Sequence, residues 1–209
     1  MVNLSSRALA AVALWTALAH GKKIFLDFED LPTSNDANCG VTTLPNTVPY
    51  HGVFVSSAFF GNVPVHNTTK TEKCSSSDIG VFDQSRATSG PNVAFGEFGG
   101  MEFQIDSSTN TLVNGVSLDI SVQLTDAEMA NKDNIITFDT LISDFANVSV
   151  EKQFTFHTAT DGFGPYHIVA PNTANYIFFE IDAGVGIPGE SFRHPAVFVD
   201  NVRLETTEN

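Results

Sequence analysis

The chain has 209 residues, with 24 Asp and Glu against 10 Lys and Arg and a formal net charge of −14. A surface of that sign repels phosphate backbones and anionic lipid heads, which makes nucleic acid and membrane surfaces poor partners. Metal cations, neutral glycans and basic proteins stay open.

From the N-terminus, Met1 to Gly21 reads as a secretory signal peptide. Arg7 stands in a short polar start, Ala8 to Ala19 is apolar, and Ala17-Leu18-Ala19 supplies the small residues of a cleavage site. The run is too short to span a bilayer, which takes roughly 20 apolar residues, and no second run of that length follows. The expectation is a secreted, extracellular protein without membrane insertion. Residues 1–20 are removed, and 21–209 form one domain of about 190 residues, enough for a single core. The one tryptophan, Trp15, lies in the removed segment.

Strand signals then dominate. Strands are predicted at Ile24–Asp30, Gly52–Phe60, Asn92–Phe98, Met101–Asp106, Asn114–Gln123, Ile135–Leu141, Val148–Thr158, Tyr166–Ala170, Tyr176–Asp182 and Val197–Glu205. Val116, Leu118, Ile120 and Val122 alternate with Ser117, Asp119 and Ser121, as a strand with one buried face requires. Turn chemistry separates the runs at Ser89-Gly90-Pro91, Gly99-Gly100, Asn114-Gly115 and Asp161-Gly162. Asp126–Lys132 is predicted as one helical turn, and the polar stretches Leu31–Pro49 and Gly61–Ala87 as long loops. Many short strands without intervening helices predict an all-β fold: a two-sheet antiparallel β-sandwich of the jelly-roll type. Eighteen phenylalanines supply much of its core, each worth about 2–3 kcal/mol when fully buried.

In an oxidising compartment the two cysteines, Cys39 and Cys74, are expected to bridge the two long loops. Closing that loop stabilises by roughly 3–4 kcal/mol. The sequons Asn67-Thr68-Thr69 and Asn147-Val148-Ser149 mark Asn67 and Asn147 as glycosylation candidates.

Two segments at opposite ends carry a resemblance. Phe25-Leu26-Asp27-Phe28-Glu29-Asp30-Leu31-Pro32 opens the mature chain, and Phe198-Val199-Asp200-Asn201-Val202-Arg203-Leu204 closes it. Tyr50-His51-Gly52-Val53, Ser89-Gly90-Pro91-Asn92-Val93-Ala94-Phe95 and Val116-Ser117-Leu118 lie between them. The order resembles secreted jelly-roll proteins of the carbohydrate-binding-module type, with a Phe-Glu first strand and a Val-Asp-Asn-Val last strand. The resemblance implies adjacent first and last strands and a structural calcium held by Glu29 and Asp200, with Asp30, Asn201 and Asp27 as further oxygen donors. Strand parity adds support, because Asp200 shares its parity with Phe198, Val202 and Leu204. A carboxylate on an apolar face needs a cation or several donors, and calcium takes about six to eight oxygens. The competing reading is an Asp200 that accepts backbone N–H bonds with no metal.

A carbohydrate site needs amphipathic aromatics beside polar groups. With Trp15 removed, the candidates are Tyr50 with His51 and Tyr166 with His167, while Tyr176 reads as core. The function expected is therefore non-catalytic recognition of an extracellular glycan or protein. A structural, adhesive or host-contacting role is the alternative, favoured by the shortage of exposed aromatics. Cleavage after Ala19 would leave His20 as an N-terminal copper ligand of the polysaccharide-monooxygenase kind. Its second ligand would come from His51, His66, His157, His167 or His194. Acidic groups such as Asp27, Glu29 and Asp119 offer the other enzymatic reading, general acid–base work. No nucleophile elbow, HExxH or CxxC motif accompanies them, so catalysis is not the expectation.

Overall fold

Period-two alternation places one row of each strand on an apolar face. Two such faces close on one another in the computed structural model, which describes residues 21–33, 40–57, 61–69, 87–96, 99–106, 108, 111–131, 133–143, 148–170, 178–189 and 191–208. Residues 1–20, with His20, and Cys39, Cys74, Asn147 and Tyr176 lie outside the described residues.

The strands are β1 (Lys22–Leu26), β2 (Val41–Leu44), β3 (Val53–Ser57), β4 (Val63–Asn67), β5 (Asn92–Gly96), β6 (Gly100–Ile105) and β7 (Thr111–Val122). They continue as β8 (Ile135–Ser143), β9 (Val148–His157), β10 (Tyr166–Val169), β11 (Phe178–Gly186) and β12 (Val197–Glu208). Single helical turns α1 (Asp126–Ala130) and α2 (Thr158–Asp161) follow β7 and β9. One sheet has seven strands in the order β10-β7-β12-β5-β4-β2, with β1 also on β12; the other runs β3-β6-β11-β8-β9. Every pairing is antiparallel. The fold is the expected all-β, two-sheet jelly-roll sandwich, and its first and last strands are neighbours. Among the described residues no helix is long and apolar enough to cross a membrane.

The core lies between the sheets. Leu26, Leu118, Ile120, Val199 and Leu204 come from one side, and Met101, Phe103, Phe138, Phe179 and Ile181 from the other; all are essentially inaccessible to solvent. In β11 the alternation is complete to Val185, with Phe179, Ile181, Ala183 and Val185 inward and Phe178, Glu180, Asp182 and Gly184 outward. Thr125 and Glu128 form a reciprocal cap on α1, and Glu128 also pairs with Arg193.

Three local expectations change. β2 and β4 occupy segments read as loops. β4 contains Pro64, which breaks the usual strand signature, yet Val63 and Val65 are fully buried. Asn114-Gly115 is a β-bulge inside β7, where Glu205 faces Gly115 and Thr206 faces Val113; an extra residue absorbed by a ladder has turn-like composition. The third change concerns β12. Its pairing with β7 jumps from Asp200↔Asp119 to Arg203↔Ser117, and Asn201 adopts φ 54°. That bulge inverts the parity. Val197 and Val199 enter the core before it, and Val202 and Leu204 after it. Phe198 instead packs with Val93 and Phe95 on the outer face, the face Asp200 shares.

Candidate functional site

β12 pairs with β7 on one flank, while β5 takes residues 197–199 and β1 takes 202–206 on the other. The Asp200 bulge falls at the junction between β5 and β1, where the carboxylate meets residues 87–91. Its Oδ2 accepts from the Thr88 N–H at 2.6 Å, the Ser89 N–H at 2.8 Å and the Thr88 hydroxyl at 3.2 Å. Oδ1 accepts from the Ser89 hydroxyl and the Asn201 N–H, both at 2.7 Å. A carboxylate has about four lone-pair sites, so protein donors saturate Asp200, which is fully buried. Asp119, directly opposite it in β7, accepts from Thr88 Oγ1 at 2.7 Å, Asn201 Nδ2 at 2.8 Å and His167 Nδ1 at 2.7 Å. Burial raises the Asp119 carboxyl, but these three hydrogen bonds outweigh it and hold the group below the usual range.

On the β1 side, Glu29 Oε1 accepts the Asn92 N–H at 2.8 Å. Its carboxyl lies so close to Gly90 that any Cβ there would overlap it. Burial, with the neighbouring Asp200 and Asp27 carboxylates, pushes Glu29 up against that hydrogen bond. The residues thus fit a hard cation in charge on the Glu29–Asp27 side and do not fit one at Asp200, whose acceptors are filled. Among the described residues, no group of three or more His, Cys, Asp or Glu side chains converges in a metal-binding arrangement.

Asp30, Tyr50 and His51 are brought together. Asp30 accepts the Tyr50 hydroxyl and pairs with His51 Nε2 at 2.9 Å. The Tyr50 hydroxyl, then His51, hold Asp30 below its ordinary range. The tyrosines themselves face inward. Tyr50 stacks on Phe28 at 5.6 Å, and Tyr166 stacks on Phe156 at 4.3 Å with its hydroxyl on the Gly162 carbonyl. Burial pushes the Tyr166 hydroxyl up to about 12. Tyr50 and Tyr166 are only 7% and 4% exposed respectively, so neither stands as a platform; Phe28 and His51 pack on the first and Phe156 and Phe138 on the second. His51 and His167 remain exposed.

The other histidines are dispersed. His157 lies 3.9 Å from Asp133 and His194 3.4 Å from Asp182. His66 is fully buried edge-on to Phe95, and burial pushes it down to about 4. Asn67 ends β4 with its Nδ2 donating to Thr33 Oγ1 at 3.3 Å.

Sequence reasoning missed two features. A groove of about 480 Å³ crosses the outer face of the seven-stranded sheet. Phe25 of β1 and Val169 of β10 wall it, 39% and 55% exposed. Arg203, Ser117 and Gly115 form its floor, and Lys23 and Glu205 its end. Cross-strand register builds it: Phe25 faces Arg203, Arg203 faces Ser117, and Ser117 faces Val169. A second hollow, of about 650 Å³, shares Lys23, Ile24 and Phe25 with it and adds Lys22, Asp27 and His51. Phe25 sits inside the apolar run Ile24-Phe25-Leu26, where composition hides which residues face outward.

The second feature lies on the outer face of the five-stranded sheet, where Glu102 of β6 stands directly opposite Glu180 of β11. Ser56 Oγ donates to Glu102 Oε2 at 2.7 Å. Burial raises Glu102 against that hydrogen bond. Burial, then Glu102 and Asp182, push Glu180 up to about 7. Acids embedded in Met101-Glu102-Phe103 and Phe179-Glu180-Ile181 were the available signal.

Fold and faces together define the class: an all-β jelly-roll domain. Similar solved structures include the CBM32 of AlyQ in complex with 4,5-unsaturated mannuronic acid, at 13% identity and TM-score 0.32, covering 54% of this chain and 75% of that one. The K2 cleaved adhesin domain of Lys-gingipain aligns over 87% of this chain and 97% of that one, at 10% identity and TM-score 0.42. No family model and no curated protein matches the sequence.

Proposed function

We propose that this chain is a secreted, non-catalytic binding module whose ligand, an extracellular glycan, lies in the groove between Phe25 and Val169. The observation that carries the reading is an exposed aromatic ring over a face groove of about 480 Å³, within the roughly 300–1,000 Å³ of small-molecule sites. The ring offers the flat apolar surface that sugar C–H faces stack on, and Arg203, Lys23, Ser117 and Glu205 offer donors and an acceptor for hydroxyls. A Cys39–Cys74 bridge and glycans on Asn67 and Asn147 belong to the same extracellular reading.

Retention on insoluble polysaccharides tests it. Phe25→Ala should weaken binding about tenfold or more while lowering the melting temperature by only about 5 °C or less, because the ring is partly exposed. Full retention by that variant removes the groove from the reading.

Structural calcium enters through Glu29 and Asp27. Calcium should raise the melting temperature over chelator in wild type and in Asp200→Asn, and have no effect in Glu29→Gln. A calcium effect that survives in Glu29→Gln places the ion elsewhere.

A further inference from the structure

Resting on the glycan reading, we infer that the groove selects a carboxylate-bearing oligosaccharide. Lysine and arginine are scarce here, and the described residues include only Lys22, Lys23, Lys152, Arg193 and Arg203. Two lie elsewhere in the fold. Arg193 makes a two-pronged pair with Glu128, and Lys152 lies 4.2 Å above the Phe154 ring. The other three, Lys22, Lys23 and Arg203, line the two hollows that flank Phe25. In a chain of net charge −14, three cations gather around Phe25, with Lys23 and Arg203 on the outer face of the sheet and Asp27 as the carboxylate of the second hollow.

Arg203 is the informative member. Among the described residues it makes no ion pair; its guanidinium lies 5.3 Å from the Phe25 ring centroid. The ring attracts and orients the cation without neutralising it. The one carboxylate lining this groove, Glu205, is paired with Lys23 at 3.2 Å. An anionic ligand therefore meets an arginine whose fork is free for a two-pronged carboxylate contact, the geometry this side chain suits best.

The shape of the floor favours a saccharide over an acidic peptide. The groove crosses four strands, β1, β12, β7 and β10, at about 4.8 Å spacing, giving a length of about 14 Å. Backbone groups along this floor pair within the sheet. A peptide recognised by strand addition would lie along the outer edge of β1 or β10, parallel to the strands, whereas this groove crosses them. Recognition has to come from a ring and side-chain polar groups. Gly115 keeps the floor low: the nearest atoms to a Cβ there belong to the Glu205 side chain, at 3.4 Å or more, and its backbone is not left-handed. Larger side chains at this position fill the groove without straining the chain.

Calorimetric titration of the secreted protein with oligogalacturonate and hyaluronan oligosaccharides, each as free acid and as methyl ester, tests the inference, with neutral xylo- and cello-oligosaccharides alongside. Wild type should bind a free acid about tenfold more tightly than its ester. Arg203→Gln should abolish that preference, and Gly115→Leu should abolish binding of both forms with the melting temperature kept. Equal binding of acid and ester, or binding of the neutral saccharides alone, overturns the charge selection and leaves the glycan reading standing. Absence of binding across the whole panel overturns the glycan reading itself. Acid-selective binding that persists in both variants places the site off this groove and overturns the inference.

Discussion

The two outer faces of the sandwich handle charge in opposite ways. On the five-stranded sheet, acids stand directly against acids: Glu102 against Glu180, and Asp182 against Asp139. On the seven-stranded sheet, Asp119 also faces Asp200, but Thr88, Ser89 and Asn201 crowd donors around them. Two residues further along β7 the same face turns basic and aromatic. Like charges in register destabilise a sheet, and the faces relieve this differently. One face surrounds its carboxylates with N–H and O–H groups. The other raises Glu180 until a proton is held near neutral pH. The donor-rich face also carries the groove beside Phe25; the other carries the raised Glu180.

The largest effect is expected where donors are densest. Asp200→Ala removes the acceptor of five hydrogen bonds in a buried site and should destabilise by on the order of 4 kcal/mol. For a domain of this size that is about 10 °C in melting temperature. Saturation by protein donors makes the loss equal in calcium and in chelator. A loss confined to calcium would make Asp200 a ligand rather than an anchor.

Next come the two titrations, which have opposite signs. His66, on the outer face of the seven-stranded sheet, is held neutral, with a folded value of about 4 against a usual 6.5. Its contribution is complete above pH 6.5 and is lost as pH falls toward 4. His66→Leu should flatten denaturant-measured stability across that window, by on the order of 3 kcal/mol. Glu180 has a folded value of about 7 against 4.5. It leaves stability intact below pH 4.5 and lowers it as pH rises toward 7. Glu180→Gln should therefore stabilise by about 2 kcal/mol at pH 8 and by nothing at pH 4. Identical pH slopes in both variants and wild type would erase the contrast between the faces.

The smallest effect belongs to the groove. Lys23 and Glu205 are 78% and 52% exposed, so Lys23→Gln should change stability by less than about 0.5 kcal/mol. Its effect should appear in acid-selective binding alone. A large loss of stability would make the pair structural.

Much of this was legible in the chain. Alternation in Val116–Val122 identified a strand with one buried face, and turn residues divided the strand-like runs, which sufficed for an all-β sandwich. Phe-Glu at one end and Val-Asp-Asn-Val at the other pointed to the corner where Glu29 and Asp200 meet. Parity along β12 did not survive, because the bulge at Asp200–Arg203 inserts a residue and turns Asp200 to the outer face. Nor did Asn114-Gly115 behave as the turn its composition suggests. Tyr50 and Tyr166 looked like surface aromatics until Phe28 and Phe156 covered them.

Side-chain alternation is local, with a period of two residues, and so sequence alone determined most of the strand segments, β2 and β4 excepted, and that the alternating ones bury one face. Which strands lie side by side, and where a ladder takes in an extra residue, depends on pairing between segments far apart in the chain. Tertiary structure alone therefore decided that Phe25, Arg203, Ser117 and Val169 form one groove and that Glu102 meets Glu180.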